Sequence, residues 1–432
     1  MKHYNTDYIQ ADIEGKGVSD NLDISGIKLA KSIWYIELCR RFQMPNRLQI
    51  RILRCCGGSN ALWSCDIRKI FSGIRAYPHS CQDCFYQNIC QELSSNEIKF
   101  LAGRLKDFFS EWPVTSLRDD ATVRAEKYQG RNIYSIDITD SLYPTNLMNI
   151  SGYPAILFCE GDGLRKLNSS PLRITIVGTR EPTPYGLKAT EMITRVLADH
   201  ECTIISGLAK GVDAMAHKIT LEKNGYTVAV TAGGTDIYYP YQNKQLQQEI
   251  AAKGVIVSEH PPGTKPIKYF FPARNRILSG LADVVIVTES PEHSGTLITT
   301  SFATDQSREV YAVPGNIIQT TSRGCNRLII DGAALLDEPG QIIERYALQP
   351  RNKDNIPQGG HKSTNRSQGI RSDDLSDHEG RIVSCLSSHA MSFDQLTMTL
   401  KLPVDQLSSL VTGLELKNKI ERKKGQYFLT YD

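Results

Sequence analysis

Ile174-Thr175-Ile176-Val177-Gly178-Thr179-Arg180 is the stretch on which the fold turns. Four β-branched residues in a row, with no polar–apolar alternation, read as a strand buried on both faces and closed by a glycine turn. The same grammar recurs at Thr203-Ile204-Ile205, Thr227-Val228-Ala229-Val230, Val255-Ile256-Val257, Val284-Val285-Ile286-Val287 and Val310-Tyr311-Ala312-Val313. Helix-length segments separate these runs, which argues against a β-sandwich. Right-handed crossovers then wind residues 133–345 into an α/β, Rossmann-like, doubly wound and mostly parallel sheet. A sheet of this kind keeps its ligand crevice outside the carboxyl ends of its strands.

Other material flanks this sheet. Residues 24–120 carry apolar positions at helical spacing, among them Ile33, Ile36, Leu38, Ile98, Leu101 and Leu105. They predict a small helical domain, of sterile-alpha-motif or helix-hairpin-helix type, interrupted by a cysteine-bearing insertion. Residues 346–376 hold Pro350, Pro357, Gly359 and Gly360 among Arg, Lys, Ser, Asn and Gln, the composition of a flexible linker. Residues 377–430 then predict three helices and a hairpin around Lys423-Lys424-Gly425, a winged-helix pattern. The third of these helices, near Val404 to Leu416, holds Asp405 and Glu415 and no Lys or Arg, which argues against base readout. Duplex binding and protein contact both remain open for this unit.

Bulk charge does not point to nucleic acid. The 432-residue chain has a formal net charge of +3, and residues 171–345 hold 17 Lys and Arg against 18 Asp and Glu. Any anion site must come from local arrangement. The first twenty residues are polar and no run of about 18 apolar residues occurs, so a cytoplasmic, membrane-free protein is expected.

Seven of the 11 cysteines precede residue 91. Cys81-x2-Cys84-x5-Cys90, with Cys65 as a fourth ligand, has spacing that can hold zinc or an iron–sulfur cluster. Cys56 and His79 are alternative ligands, and unpaired thiols in an inserted loop explain the cluster equally well. No other cofactor is expected: G-x-G-x-x-G does not follow the first parallel strand, which disfavours a nicotinamide.

Function is read from the loops after the strands. Gly178, Thr179 and Arg180 end one strand, and Ser206-Gly207-Leu208-Ala209-Lys210 ends the next. Gly233, Ser294 and Gly295 stand in further small-residue loops, and Arg274-Asn275-Arg276 adds two guanidiniums and an amide. Glycines let backbone approach an anion, helix amino termini offer free N–H groups, and arginine grips phosphate bidentately. Leu208 and Ala209 aside, these twelve positions form the candidate phosphate-binding set. Asp213 and His217 share a helix face; a catalytic pair is one reading, a helix-start acid and a satisfied core histidine the favoured one.

At these motifs the chain resembles the DNA processing protein A family (DprA, also called Smf). The resemblance runs from Tyr143-Pro144 through Gly178-Thr179-Arg180, Tyr185-Gly186 and Ser206-Gly207-Leu208-Ala209-Lys210-Gly211-Val212-Asp213. It continues through Gly233, Tyr239-Pro240, Phe271-Pro272-Ala273-Arg274-Asn275-Arg276-Ile277, Ser294-Gly295-Thr296 and Val313-Pro314-Gly315 to Gly324-Cys325-Asn326-Arg327. It implies binding and protection of incoming single-stranded DNA, loading of the RecA recombinase in natural transformation, and a homodimer through the central domain. It also implies that the loops at Arg180, Lys210 and Arg274-Asn275-Arg276 form the phosphate pocket. Thr179 replaces the usual serine and Lys210 the usual arginine, keeping hydroxyl and charge but losing one planar fork. The competing reading is a nucleotide-processing hydrolase on a related fold, with Glu289 assisting; it lacks a Pro-Gly-Gly-x-Gly-Thr motif and a separate nucleophile.

Overall fold

In a computed structural model, residues 24–41, 43–64, 114–161, 164–351, 382, 391–400, 404–416, 420–423 and 426–429 are described. All six β-branched runs are strands, and their side chains are buried almost throughout. That burial on both faces is what the lack of alternation requires.

The amino-terminal helices α1 (Ile24–Arg41), α2 (Asn46–Cys56), α3 (Ser59–Ser64) and α4 (Val114–Glu126) pack around buried Trp34. Trp34 meets Trp63 edge-on at 5.4 Å, and the Arg118 guanidinium lies 5.5 Å from one ring and 5.3 Å from the other. The chain enters the sheet through β1 (Ile133–Asp137), α5 (Thr145–Met148), β2 (Ile156–Glu160) and α6 (Leu164–Ser169). Asp137 is buried and accepts the Ser59 N–H and hydroxyl, both at 2.9 Å, while Lys28 pairs with Asp140 at 2.6 Å. The described helices therefore share one continuous core with the sheet, and residues 1–352 cluster as one unit.

The parallel part follows as β3 (Arg173–Val177), α7 (Pro184–Ala198), β4 (Thr203–Ser206), α8 (Val212–Glu222), β5 (Tyr226–Val230), α9 (Lys244–Lys253) and β6 (Val255–Ser258). It continues as α10 (Phe270–Leu281), β7 (Val284–Val287), α11 (Gly295–Asp305), β8 (Glu309–Ala312), α12 (Arg323–Ile330), β9 (Ala334–Leu335) and α13 (Gly340–Tyr346). The nine strands lie in the order β1-β2-β6-β5-β4-β3-β7-β8-β9, with β1 and β2 antiparallel at one edge. From β3 the chain steps outward to β6, then crosses back to place β7 on the other flank of β3. Ile174 consequently faces Ile204 on one side and Val284 on the other. The reversal leaves a crevice beyond the carboxyl ends of β3 and β7, the switch point where open α/β sheets bind ligands.

The expected linker loses its first residues to this unit. Gln349 O accepts the Glu201 N–H at 2.9 Å, and Arg351 donates from its backbone to Asp199 O and from Nη1 to Asn224 O, each at 2.8 Å. Residues 346–351 are thus docked by hydrogen bonds that their polar composition did not advertise.

Residues 353–432 form a second unit. It contains α14 (Phe393–Leu400), α15 (Val404–Leu416) and a small sheet of β10 (Met391–Ser392), β12 (Gln426–Leu429) and β11 (Ile420–Lys423). Ile382, Leu396, Leu400, Leu407, Val411, Leu414, Ile420 and Tyr427 make its core, in the winged-helix arrangement expected from the apolar spacing. No helix among the described residues is long and apolar enough to cross a membrane.

Candidate nucleic-acid interface

The loops at the carboxyl ends of the strands are stitched to one another by backbone and buried side chains. Thr179 N–H donates to Glu289 O at 2.8 Å, and Val212 N–H donates to Thr179 O at 3.3 Å. A Cβ on Gly178 would meet Val212 Cγ2 at 2.5 Å, so this position lets the β3 loop pass beneath α8. Ser294 caps α11 by accepting the Thr296 N–H at 3.2 Å, and the Thr296 hydroxyl donates to Gly178 O at 3.0 Å. The positive end of α11 is thereby aimed at the β3–β7 crevice.

Arg274 is the centre of the site. Its side chain leaves α10 and is 6% exposed, with Nη1 donating to Gly207 O at 2.6 Å and to Val230 O. Gly207 makes this possible, since a Cβ there would collide with Nη1. Asp213 accepts the Gly207 N–H at 3.2 Å and stands as the counter-charge to Arg274. Burial pushes the guanidinium down to about 10 and raises the Asp213 carboxyl; each group partly offsets the other's shift. Nη2 has no partner among the described residues, and Nε is buried without one. Such unspent donors beside a cavity suit an anionic ligand.

Two adjoining cavities share Arg180, Ala209, Phe271 and Arg274 as walls. The first, about 270 Å³, lies over the ends of β3, β4 and β5 and adds Lys210, Gly233 and Tyr239. The second, about 450 Å³, opens at the switch point and adds Gly178, Thr179, Asn275, Ser294 and Gly295. Arg180 and Lys210 are exposed and make no ion pair among the described residues. Arg131, Arg173, Arg195 and Arg345, outside the cleft, all sit on carboxylates. Arg180 and Lys210 thus offer unpaired charge at the carboxyl edge of a sheet whose domain is neutral in bulk.

Rings complete the cleft. The Arg180 guanidinium lies 5.7 Å from the Phe271 ring, and Phe271 meets Tyr239 at 5.4 Å in a tilted pair. The sequence reading passed over both rings as binding groups, although aromatic residues interleaved with cations are the usual signal for unstacked bases.

Ten of the twelve expected phosphate-binding residues line the two cavities: Gly178, Thr179, Arg180, Gly207, Lys210, Gly233, Arg274, Asn275, Ser294 and Gly295. Ser206 and Arg276 do not. The Ser206 hydroxyl is buried and donates across the sheet to Ile176 O at 2.7 Å. The Arg276 guanidinium donates to Glu259 at 2.6 Å and to the carbonyls of Gly152 and Ala273, which ties these loops together. Their neighbours in sequence point into the cleft, but one step along a strand or helix turns a side chain away. Cys65, Cys81, Cys84 and Cys90 lie outside the described residues, as does His79. Among the described residues no group of three or more His, Cys, Asp or Glu could hold a metal ion.

A model of the family described as DNA recombination-mediator protein A matches residues 134–347, and one of the DprA winged-helix domain matches residues 371–426. DNA processing protein DprA of Bacillus subtilis is 42% identical over 225 residues, 52% of this chain and 74% of that protein. The chain belongs to the DprA family. The X-ray structure of DprA from Streptococcus pneumoniae shares the fold with a TM-score of 0.52 and 29% identity, covering 75% of this chain and 98% of that one. A structure of the Helicobacter pylori DprA, described by its single-stranded-DNA binding mode, is 31% identical with a TM-score of 0.46. It covers 50% of this chain and 96% of that one.

Asp213 and His217 share no hydrogen bond or ion pair. His217 Nδ1 lies 2.7 Å from the Thr227 hydroxyl, whose own proton goes to Ile204 O at 2.9 Å. Burial pushes the imidazole down to about 3, so it is neutral in the folded chain. An ordinary histidine in the unfolded chain titrates near 6.5 and takes up a proton that the folded one refuses. Stability is therefore expected to fall as pH drops from about 6.5 toward 3, and His217→Gln is expected to flatten that decline. Thermal midpoints measured across this window check it; an unchanged slope in the variant contradicts it.

Proposed function

We propose that this chain binds single-stranded DNA in the cleft at the carboxyl ends of β3, β4, β5 and β7. The observation that carries this reading is that Arg180, Lys210 and the unpaired Nη2 of Arg274 line one cavity together with the rings of Phe271 and Tyr239. Phosphates need cations, and only unpaired, unstacked bases expose faces for rings to cover. Backbone gripping carries no base code, so sequence preference is weak.

Membership of the DprA family supports a place in DNA processing and recombination, with delivery of the bound strand to the RecA recombinase during uptake of DNA in the cytoplasm. A homodimer through the α/β unit fits the sheet edge at β9, which has no further strand beside it among the described residues; β9 is exposed, and Ile330, at the end of the preceding α12, is 75% exposed. We read the chain as a binding protein and not an enzyme. Glu289, the acid a hydrolase would use, is 1% exposed, accepts the Thr183 N–H at 2.8 Å and hydroxyl at 2.7 Å, and lines neither cavity. A zinc or iron–sulfur site at Cys65, Cys81, Cys84 and Cys90 remains a proposal from their spacing alone; stoichiometric metal in anaerobically purified protein would support it, and its absence would sink it.

The test of the central reading is fluorescence anisotropy with single-stranded and duplex oligonucleotides across a salt series. With three cations on phosphate, log affinity against log salt is expected to fall with a slope of about −2 for single strands. Tighter binding of the single strand accompanies it. Equal affinity for duplex, or insensitivity to salt, contradicts the proposal.

A further inference from the structure

The excess positive charge of the chain lies in its amino-terminal helices. Five arginines and no lysine or carboxylate fall between Leu38 and Ser64, so the net charge of +3 becomes −2 once this stretch is left out. Three of the five stand on α2, where Arg47, Arg51 and Arg54 are spaced i, i+4, i+7 and form one stripe about 10 Å long. Leu48, Ile50, Ile52 and Leu53 are buried around the rest of the helix, while Arg47 and Arg54 are exposed. Neither of these two meets a carboxylate among the described residues. Glu37, the preceding acid in the sequence, is taken by Arg40 and Arg124. Arg54 Nη2 donates to the Tyr153 hydroxyl at 2.7 Å, and its guanidinium lies 6.0 Å from the centre of that ring.

The stripe belongs to the same edge of the sheet as the cleft. Asn46, at the start of α2, donates from Nδ2 to Tyr153 O at 2.8 Å, and the neighbouring Gly152 O accepts Arg276 Nε at 3.1 Å. Arg276 follows Asn275 on α10, the helix whose Phe271, Arg274 and Asn275 line the second cavity. The turn after α2 adds no backbone donor to the face. Gly58 N–H goes to Leu53 O at 2.8 Å and Ser59 N–H to Asp137 at 2.9 Å.

We propose that the arginine stripe of α2 binds the phosphate backbone of duplex DNA, a second nucleic-acid surface beside the cleft. It stands on its own charge and geometry; only the joining of the two surfaces on one DNA rests on the single-stranded-DNA reading. A duplex is favoured over more single strand by the rings. Single-strand tracks interleave cations with open ring faces, whereas Tyr153, the ring beside Arg54, is half-buried and already carries a guanidinium. A duplex keeps its bases stacked inside and presents phosphates, which a stripe of guanidiniums can meet without reading sequence.

Fluorescence anisotropy with two probes tests this: an oligodeoxythymidylate of about 20 nucleotides, and the same tail joined to a duplex of about 15 base pairs. Wild-type protein is expected to bind the tailed duplex about 5- to 50-fold more tightly than the tail, with a salt slope steeper by about 2. Arg47→Glu and Arg54→Ala are each expected to remove most of that gain, to reduce the slope by about 1 and to leave the tail alone within about twofold, while Arg47→Lys keeps the gain. Thermal midpoints equal to wild type establish that each variant is folded. No gain from the duplex in wild type overturns the proposal, as does a gain that survives both substitutions, which assigns it to another surface. Equal loss on tail and tailed duplex also overturns it, because the stripe then serves the single strand. Binding of the tailed duplex that depends on Arg47 and Arg54, in a protein that does not bind the tail, removes the cleft reading and supports the stripe.

Discussion

Arg274→Met is expected to destabilise the α/β unit by about 3–5 kcal/mol and to abolish single-stranded-DNA binding. The substitution keeps a long apolar stem but removes Nη1 from Gly207 O and Val230 O, and it leaves Asp213 buried beside no counter-charge. An unpaired carboxylate and two orphaned carbonyls in a packed sheet edge are among the few causes of losses this large. The loop bearing Lys210 hangs on the same contacts, through Asp213 and the Gly207 and Ala209 N–H groups, so binding fails with it. All three tryptophans, Trp34, Trp63 and Trp112, precede residue 113, so their fluorescence in a denaturant titration reports this unit and not the carboxyl-terminal one. A loss below about 1 kcal/mol contradicts the account of Arg274 as the strut of the site.

Arg180→Ala is expected to act in the opposite way, on binding alone. Arg180 is exposed, pairs with no carboxylate among the described residues and rests only against the Phe271 ring, so its removal costs little stability. A lost charge-assisted contact to phosphate costs about 1.5–3 kcal/mol, or about 10- to 150-fold in affinity. The salt slope for a single strand should also shrink by about 0.7, one phosphate fewer. Unchanged affinity and slope would remove Arg180 from the DNA path. The contrast between the two arginines distinguishes a group that builds the cleft from one that meets the ligand.

The parallel core was legible because strands buried on both faces show no polar–apolar alternation and are rich in β-branched residues. Ile133–Asp137 and Ile156–Glu160 were not legible, since an antiparallel edge pair carries residues such as Tyr134, Ser135 and Glu160 that a run of valines would not. The described helices of the domain expected over 24–120 are tied to the β1 region through Asp137 and Lys28, single polar residues whose long-range partners no periodicity reveals. At the site, glycine turns and cations located the cleft, but sequence could not tell how each guanidinium is spent. Arg274 and Arg276 stand two residues apart and face opposite duties, one toward the cleft and one toward Glu259. Tyr239 and Phe271 were missed as a pair because more than 30 residues separate them and only the fold brings the two rings together.

The cleft is tested most directly by a solved structure of the full chain with a short oligodeoxythymidylate. The account predicts a phosphate within hydrogen-bond distance of Arg274 Nη2 and Arg180, and a base against Phe271 or Tyr239. A strand bound on another surface, with both arginines free of phosphate, would contradict it.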